Sequence, residues 1–177
     1  MHPFGNMACS IEVTGQQILD ALELGSMFTP DAESGGFLQV SGLTYEIHTY
    51  IPSSVTLDAN KSFVGVTGAR RVKNVMVGGE PIDVNKTYTL ASHNYMLKDG
   101  GDGYAMFKGA MVVRDGVMID NQVLINYIKD ALHGTVGSEY ENPYGQGRIK
   151  LVAEAPANQP GNPASSSSHN GSGISVG

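Results

Sequence analysis

The sequence has no tryptophan and a single cysteine, Cys9, in 177 residues. One thiol excludes an internal disulfide and any zinc site built on several cysteines. Cys9, Ile11 and Val13 alternate with Ser10 and Glu12, a pattern that predicts a buried thiol on a strand. No apolar run reaches the length of about 18 residues that a spanning helix needs, and no signal peptide is visible. Positive charge is scarce: 11 Lys and Arg against 17 Asp and Glu leave a net charge of −6. That balance argues against nucleic-acid polymers, whose binding modules are usually basic. It also offers no general attraction for a phosphate, so phosphate recognition must be local or come from outside this chain. Catalytic signatures are missing as well. There is no Gly-x-Ser-x-Gly elbow, no phosphate-cradling P-loop, and no clustered Asp, His and Asn set for two-metal hydrolysis. None of the five histidines stands at metal-ligand spacing, and His93 reads as a surface or packing residue.

What is present reads as one domain plus a tail. Residues 7–13 alternate as a half-buried strand and run into Thr14 and Gln17, a capping box that opens a helix. Ile18, Leu19 and Leu22 form its apolar stripe, and Gly25 is expected to end it as a left-handed cap. Residues 26–36 read as a loop. Residues 37–47 read as a strand whose phase changes near Gly42, which a bulge at Ser41 and Gly42 would reconcile. Residues 48–62 are polar and irregular. Strands at 72–77 and 80–82 flank Gly78 and Gly79, a two-residue hairpin turn. Arg70 and Arg71 read as a solvated strand start. Residues 87–92 are β-rich.

A helix is expected over 120–133, with Val123, Leu124, Tyr127, Ile128, Ala131 and Leu132 on one face at period 3.6. Asp120 can cap it, Lys129 suits its last turn and Gly134 ends it. Residues 148–152 read as a last strand. Residues 153–177, mostly Ala, Pro, Asn, Ser and Gly, cannot bury enough apolar surface to fold and read as a disordered linker or stalk. Intermixed strands and helices with a hairpin point to an α+β fold with a mixed sheet. No internal repeat of about 20–50 residues is evident.

The most informative stretch is Asn94-Tyr95-Met96-Leu97-Lys98-Asp99-Gly100-Gly101-Asp102-Gly103-Tyr104. It sets an aromatic seven positions before a carboxylate that three glycines surround. Such a loop puts Asp102 on a tight outward turn. A ring beside a fixed carboxylate suits a nucleoside, the ring stacking on a base and the carboxylate accepting from ribose hydroxyls. Pro3-Phe4-Gly5-Asn6 adds a second aromatic and an amide, and Gly35-Gly36-Phe37-Leu38-Gln39 a third segment. Together they resemble the C-terminal, substrate-binding domain of the 5'-nucleotidase family, which includes UDP-sugar hydrolases, ecto-5'-nucleotidases and cyclic phosphodiesterase/3'-nucleotidases. The resemblance runs from Pro3 to Ile149.

The resemblance implies that Phe4 and Tyr95 are the two rings that sandwich the base. It implies that Asp102 contacts the nucleoside, that Asn6 bonds the base or ribose edge, and that the backbone of Gly35 approaches the base. By pattern alone Asp102 reads equally as a turn Asp bonding its own backbone. Tyr95 and Phe4 read as hydrophobes, Asn6 and Gly35 as loop residues, and Asp99 as a solvated turn residue. A calcium loop at Asp99 and Asp102 lacks the alternating ligand spacing.

The resemblance further implies that residues 1–152 are this domain, slightly truncated at its N-terminus. An N-terminal metallophosphoesterase domain absent from this sequence would carry two divalent metals. The Asn-Gly-Gly-Gly-Ile-Arg segment that precedes Pro-Phe-Gly in the family is absent too. The expected role is recognition of a nucleotide or nucleoside within a phosphoester hydrolase that is extracellular, surface-attached or periplasmic. No catalytic residue, metal or cofactor is expected in this chain. The other reading is a non-catalytic surface module for ligand capture or cell contact.

Overall fold

The computed structural model describes residues 4–142 and 146–155. Strand β1 (Met7–Thr14) lies at the centre of a three-stranded antiparallel sheet. Its neighbours are β7 (Thr87–His93) and β8 (Val112–Ile119), with Ile11 opposite Leu90 on one side and Val112 on the other. Alternation places Cys9, Ile11 and Val13 inward, and all three are buried.

Helix α1 (Gly15–Gly25) starts on the predicted capping box. The Thr14 hydroxyl accepts from the Gln17 N–H at 3.2 Å, and Gln17 Oε1 accepts from the Thr14 N–H at 2.8 Å. Ile18, Ala21, Leu22 and Leu24 bury the stripe. The end of the helix differs from the sequence reading. Gly25 stays helical, and Ser26 caps the helix without a left-handed residue, its N–H donating to the Leu22 carbonyl at 3.1 Å.

The second sheet has the order β6 (Glu80–Pro81), β5 (Val72–Val77), β2 (Leu43–His48), β9 (Ile149–Val152). Strand β2 pairs antiparallel with β5 and parallel with β9, which makes the sheet mixed and the fold α+β. Gly78 and Gly79 both have positive φ, as the predicted β5–β6 turn requires. The strand expected over 37–47 begins only at Leu43. Leu38 and Val40 pack on the core without joining a ladder, and the register shift falls between Thr44 and Glu46 rather than at Ser41 and Gly42.

Residues 48–62 are less irregular than expected. They contain β3 (Val55–Leu57), which pairs with β4 (Phe63–Val66) as a separate hairpin.

Arg71 corrects another expectation, because it is buried rather than solvated. It donates to the carbonyls of Ser26 (3.1 Å), Met27 (3.4 Å) and Thr49 (3.4 Å) and so ties the end of α1 to the β2–β3 connection. Arg70 pairs with Asp20. Beside them Glu23, fully buried in α1, accepts from the Val72 N–H at 2.9 Å. Burial pushes its carboxyl above the ordinary range, opposed by the Val72 N–H and by the nearby Arg70 and Arg71.

The 120–133 helix forms as α3 (Asp120–Asn126) continued by a π-helical turn over Tyr127–Ala131. Its cap is Ile119 rather than Asp120, which sits in the first turn. The predicted apolar face does not enter the core: Val123, Leu124 and Tyr127 stay exposed and Ile128 and Leu132 are half-buried, with the Tyr127 hydroxyl meeting that of Tyr140 at 2.8 Å. The helix ends earlier than expected, with Leu132 as its cap, and both His133 (φ 52°) and Gly134 (φ 81°) after it are left-handed. Residues 153–155 carry no regular structure, and the rest of the expected stalk lies outside the described residues.

Candidate functional site

The glycine loop forms a 3₁₀ turn over Gly101–Gly103, with Asp102 held at φ 53°. Its glycines permit two close approaches. A Cβ at Gly101 would stand 2.3 Å from the Tyr95 ring, and one at Gly103, where φ is +86°, would stand 2.5 Å from the Lys61 carbonyl. At Gly103 only glycine fits, whereas at Gly101 a side chain would have to displace the Tyr95 ring. The loop is pinned from beneath by Tyr104, which is buried and donates to the Gly36 carbonyl. Burial raises the Tyr104 phenol well above its ordinary value, so it stays a donor.

Tyr95 projects from the short helix α2 (Asn94–Leu97). His93 caps that helix, its Nδ1 accepting from the Met96 N–H at 3.3 Å, and its ring stacks on Tyr95 with centroids 6.1 Å apart. His93 is thus a packing residue. Tyr95 is 44% exposed, and its hydroxyl reaches Asp102 Oδ1 at 3.4 Å.

Asn94 Oδ1 accepts from the Met7 N–H at 2.7 Å, which binds α2 to the start of β1. The Asn6 carbonyl accepts from the Asp120 N–H at 2.9 Å. These bonds hold Asn6 and Met7 between α2 and the start of α3, while Phe4 is 84% exposed. In the 34–36 loop, Ser34 Oγ accepts from the Gly36 N–H at 3.3 Å, and nothing lies within 4 Å of where a Gly35 Cβ would be.

All five residues singled out from the sequence, Phe4, Asn6, Gly35, Tyr95 and Asp102, line one cavity of about 900 Å³. That volume lies within the range of small-molecule sites, about 300–1,000 Å³. The sequence reading missed Phe28, Leu57, Asn60 and Lys61 on the same walls. Leu57 and Asn60 come with the hairpin that was read as irregular, and no local signal marks Lys61. Asp99 stays exposed outside the cavity. Among the described residues no group of three or more His, Cys, Asp or Glu is placed to hold a metal.

The arrangement can stack a planar ring against exposed aromatics, accept hydrogen bonds at Asp102 and offer backbone polar groups at Gly35.

Comparison with known proteins gives three findings. The profile described as "5'-nucleotidase, C-terminal domain" matches residues 1–109, a span that contains every residue lining the cavity. Among curated relatives, a cell wall protein of Listeria monocytogenes is 30% identical over 137 residues, covering 73% of this chain and 14% of the relative. The trifunctional nucleotide phosphoesterase protein YfkN of Bacillus subtilis is 32% identical over 157 residues, covering 85% of this chain and 9% of the relative. The chain thus spans a small fraction of the curated relatives it matches. Among solved structures, a 5'-nucleotidase precursor from Thermus thermophilus superposes with a TM-score of 0.65 at 29% identity, covering 86% of this chain and 26% of that one.

Proposed function

Because the chain belongs to the 5'-nucleotidase C-terminal domain family, we propose that it is the nucleotide-recognition domain of a 5'-nucleotidase-like phosphoester hydrolase. The base stacks against Tyr95 and Phe4, Asp102 accepts from the ribose hydroxyls, Asn6 bonds the base or ribose edge, and the Gly35 backbone borders the base. Hydrolysis belongs to a separate dimetal domain of the same polypeptide. This chain contributes binding and orientation, which keep the ester in place while that domain acts. We place the whole protein at the cell envelope or outside it, a reading supported by the similarity to a cell wall protein.

One observation carries the proposal. Residues from three separate stretches of sequence, Phe4 and Asn6, Gly35, and Tyr95 and Asp102, line a single cavity with room for a nucleoside. Calorimetric titration with adenosine tests it: the chain binds weakly, and Tyr95→Ala weakens binding about tenfold, the factor for 1.4 kcal/mol. An unchanged affinity in that variant refutes the stacking role.

The same similarity to a cell wall protein favours a second reading, a non-catalytic capture module at the cell surface. The full-length sequence separates the two, since the hydrolase reading requires an upstream Asp, His and Asn dimetal set.

A further inference from the structure

Lys61 sits at the tip of the β3–β4 hairpin, which holds it rigidly. Asp58 Oδ1 accepts from the N–H groups of Asn60 (2.9 Å) and Ser62 (2.8 Å), and the Lys61 N–H donates to the Asp58 carbonyl at 3.0 Å. Lys61 itself has φ 61°, a left-handed conformation uncommon for a lysine. Its carbonyl rests on Gly103, so hairpin tip and glycine loop make one continuous wall.

Charge is sparse on that wall. Among the described residues that line the cavity, Lys61 is the only cation and Asp102 the only anion. Lys98 and Lys150 are engaged by Asp115 and Glu46. Lys61 has no carboxylate within 4.0 Å among the described residues. Its ammonium is exposed, whereas the chain as a whole repels anions with a net charge of −6.

A nucleotide differs from its nucleoside by an anionic phosphate ester. An anion held in this cavity has one cation to meet, because the long-range field of the chain opposes it. We propose that Lys61 contacts the phosphate of a bound nucleotide and sets the preference of this cavity for nucleotide over nucleoside. The proposal rests on the nucleoside-binding reading above and adds to it a residue from outside the resemblance. For a solvent-reachable ion pair the preference amounts to about two- to fivefold.

The experiment titrates adenosine and AMP into the chain and into Lys61→Gln, Lys61→Arg and Tyr95→Ala, at low and high salt. The unaltered chain is expected to bind AMP about two- to fivefold tighter than adenosine at low salt, with the advantage fading as salt screens it. Lys61→Gln should bring AMP down to the affinity of adenosine while adenosine stays where it was, and Lys61→Arg should keep the difference. If Lys61→Gln leaves the ratio intact, or weakens both ligands alike, the assignment is overturned. Should Tyr95→Ala still weaken adenosine binding about tenfold in that case, the nucleoside reading survives without Lys61. If the unaltered chain binds neither ligand, both fall together.

Discussion

Replacing Gly101 by alanine separates ring placement from folding at the candidate site. The added methyl carbon would lie 2.3 Å from Tyr95 Cε1, 2.4 Å from Cζ and 2.5 Å from Cδ1, well inside contact distance. The obstacle is the far end of a side chain, and Tyr95 is 44% exposed, so its ring can swing outward without moving backbone. Forcing a side chain off its preferred rotamer costs about 0.5–1.5 kcal/mol. The long 3.4 Å bond from the Tyr95 hydroxyl to Asp102 adds little to that. For a chain of this size the expected fall in Tm is about 2–4 °C per kcal/mol. Binding should suffer more, since the displaced ring loses a base stack that contributes about 1–3 kcal/mol. Gly35→Ala is the control. Its methyl meets nothing within 4 Å, so stability should stay within about 0.5 kcal/mol while the methyl narrows the cavity and lowers affinity. Thermal melts by circular dichroism and adenosine titrations read both effects. A Gly101→Ala protein that fails to fold, or one that binds adenosine as tightly as before, refutes the reasoning.

Arg71→Met should destabilise the chain by about 1.5–3 kcal/mol, as loss of buried hydrogen bonds from a charged group does, measured by urea denaturation; a change under about 0.5 kcal/mol would contradict the role given to its three carbonyl contacts. Glu23 has a folded pKa raised above its unfolded one by burial, so the folded state binds the proton more tightly. Its contribution is most favourable below the unfolded pKa and is lost as pH rises through the folded one. Accordingly the Tm difference between Glu23→Gln and the unaltered chain should shift in favour of the variant from acid to neutral pH, and a flat difference would refute this. Thr14→Ala removes half of the capping box and should cost about 1 kcal/mol in the same melts. Incubated with AMP or UDP-glucose and Mn²⁺, Co²⁺ or Zn²⁺, the chain should release no phosphate; metal-dependent turnover that co-purifies with it and persists in Tyr95→Ala would overturn the separate-domain reading.

The parts legible in sequence are those whose cause is local. Thr14 and Gln17 are three residues apart and cap each other. Gly78 and Gly79 form their turn alone, and Cys9, Ile11 and Val13 alternate within one strand. The glycine loop announced itself for the same reason, although its partners did not. Gly103 needs no side chain because the Lys61 carbonyl lies against it, a contact across the fold with no trace in either segment. The burial of Arg71 leaves no mark in the sequence because its partners are main-chain carbonyls, which every sequence has. The β3–β4 hairpin escaped notice because Val55–Leu57 is too short to display alternation. The apolar periodicity of 120–133 does mark a helix, but period alone does not say how deeply the face is covered, and Val123, Leu124 and Tyr127 stay exposed.

The central claim is that one cavity, walled by residues far apart in sequence, takes a nucleoside. Adenosine titrated into ¹⁵N-labelled chain tests it most directly, since backbone amide shifts report every wall at once. The account predicts saturable shifts centred on Tyr95 and on Gly101, Asp102 and Gly103, with lesser ones at Asn6, Gly35, Gly36 and Lys61, and their loss in Asp102→Ala with the remaining spectrum unchanged. Saturable shifts confined to residues away from that cavity would contradict it.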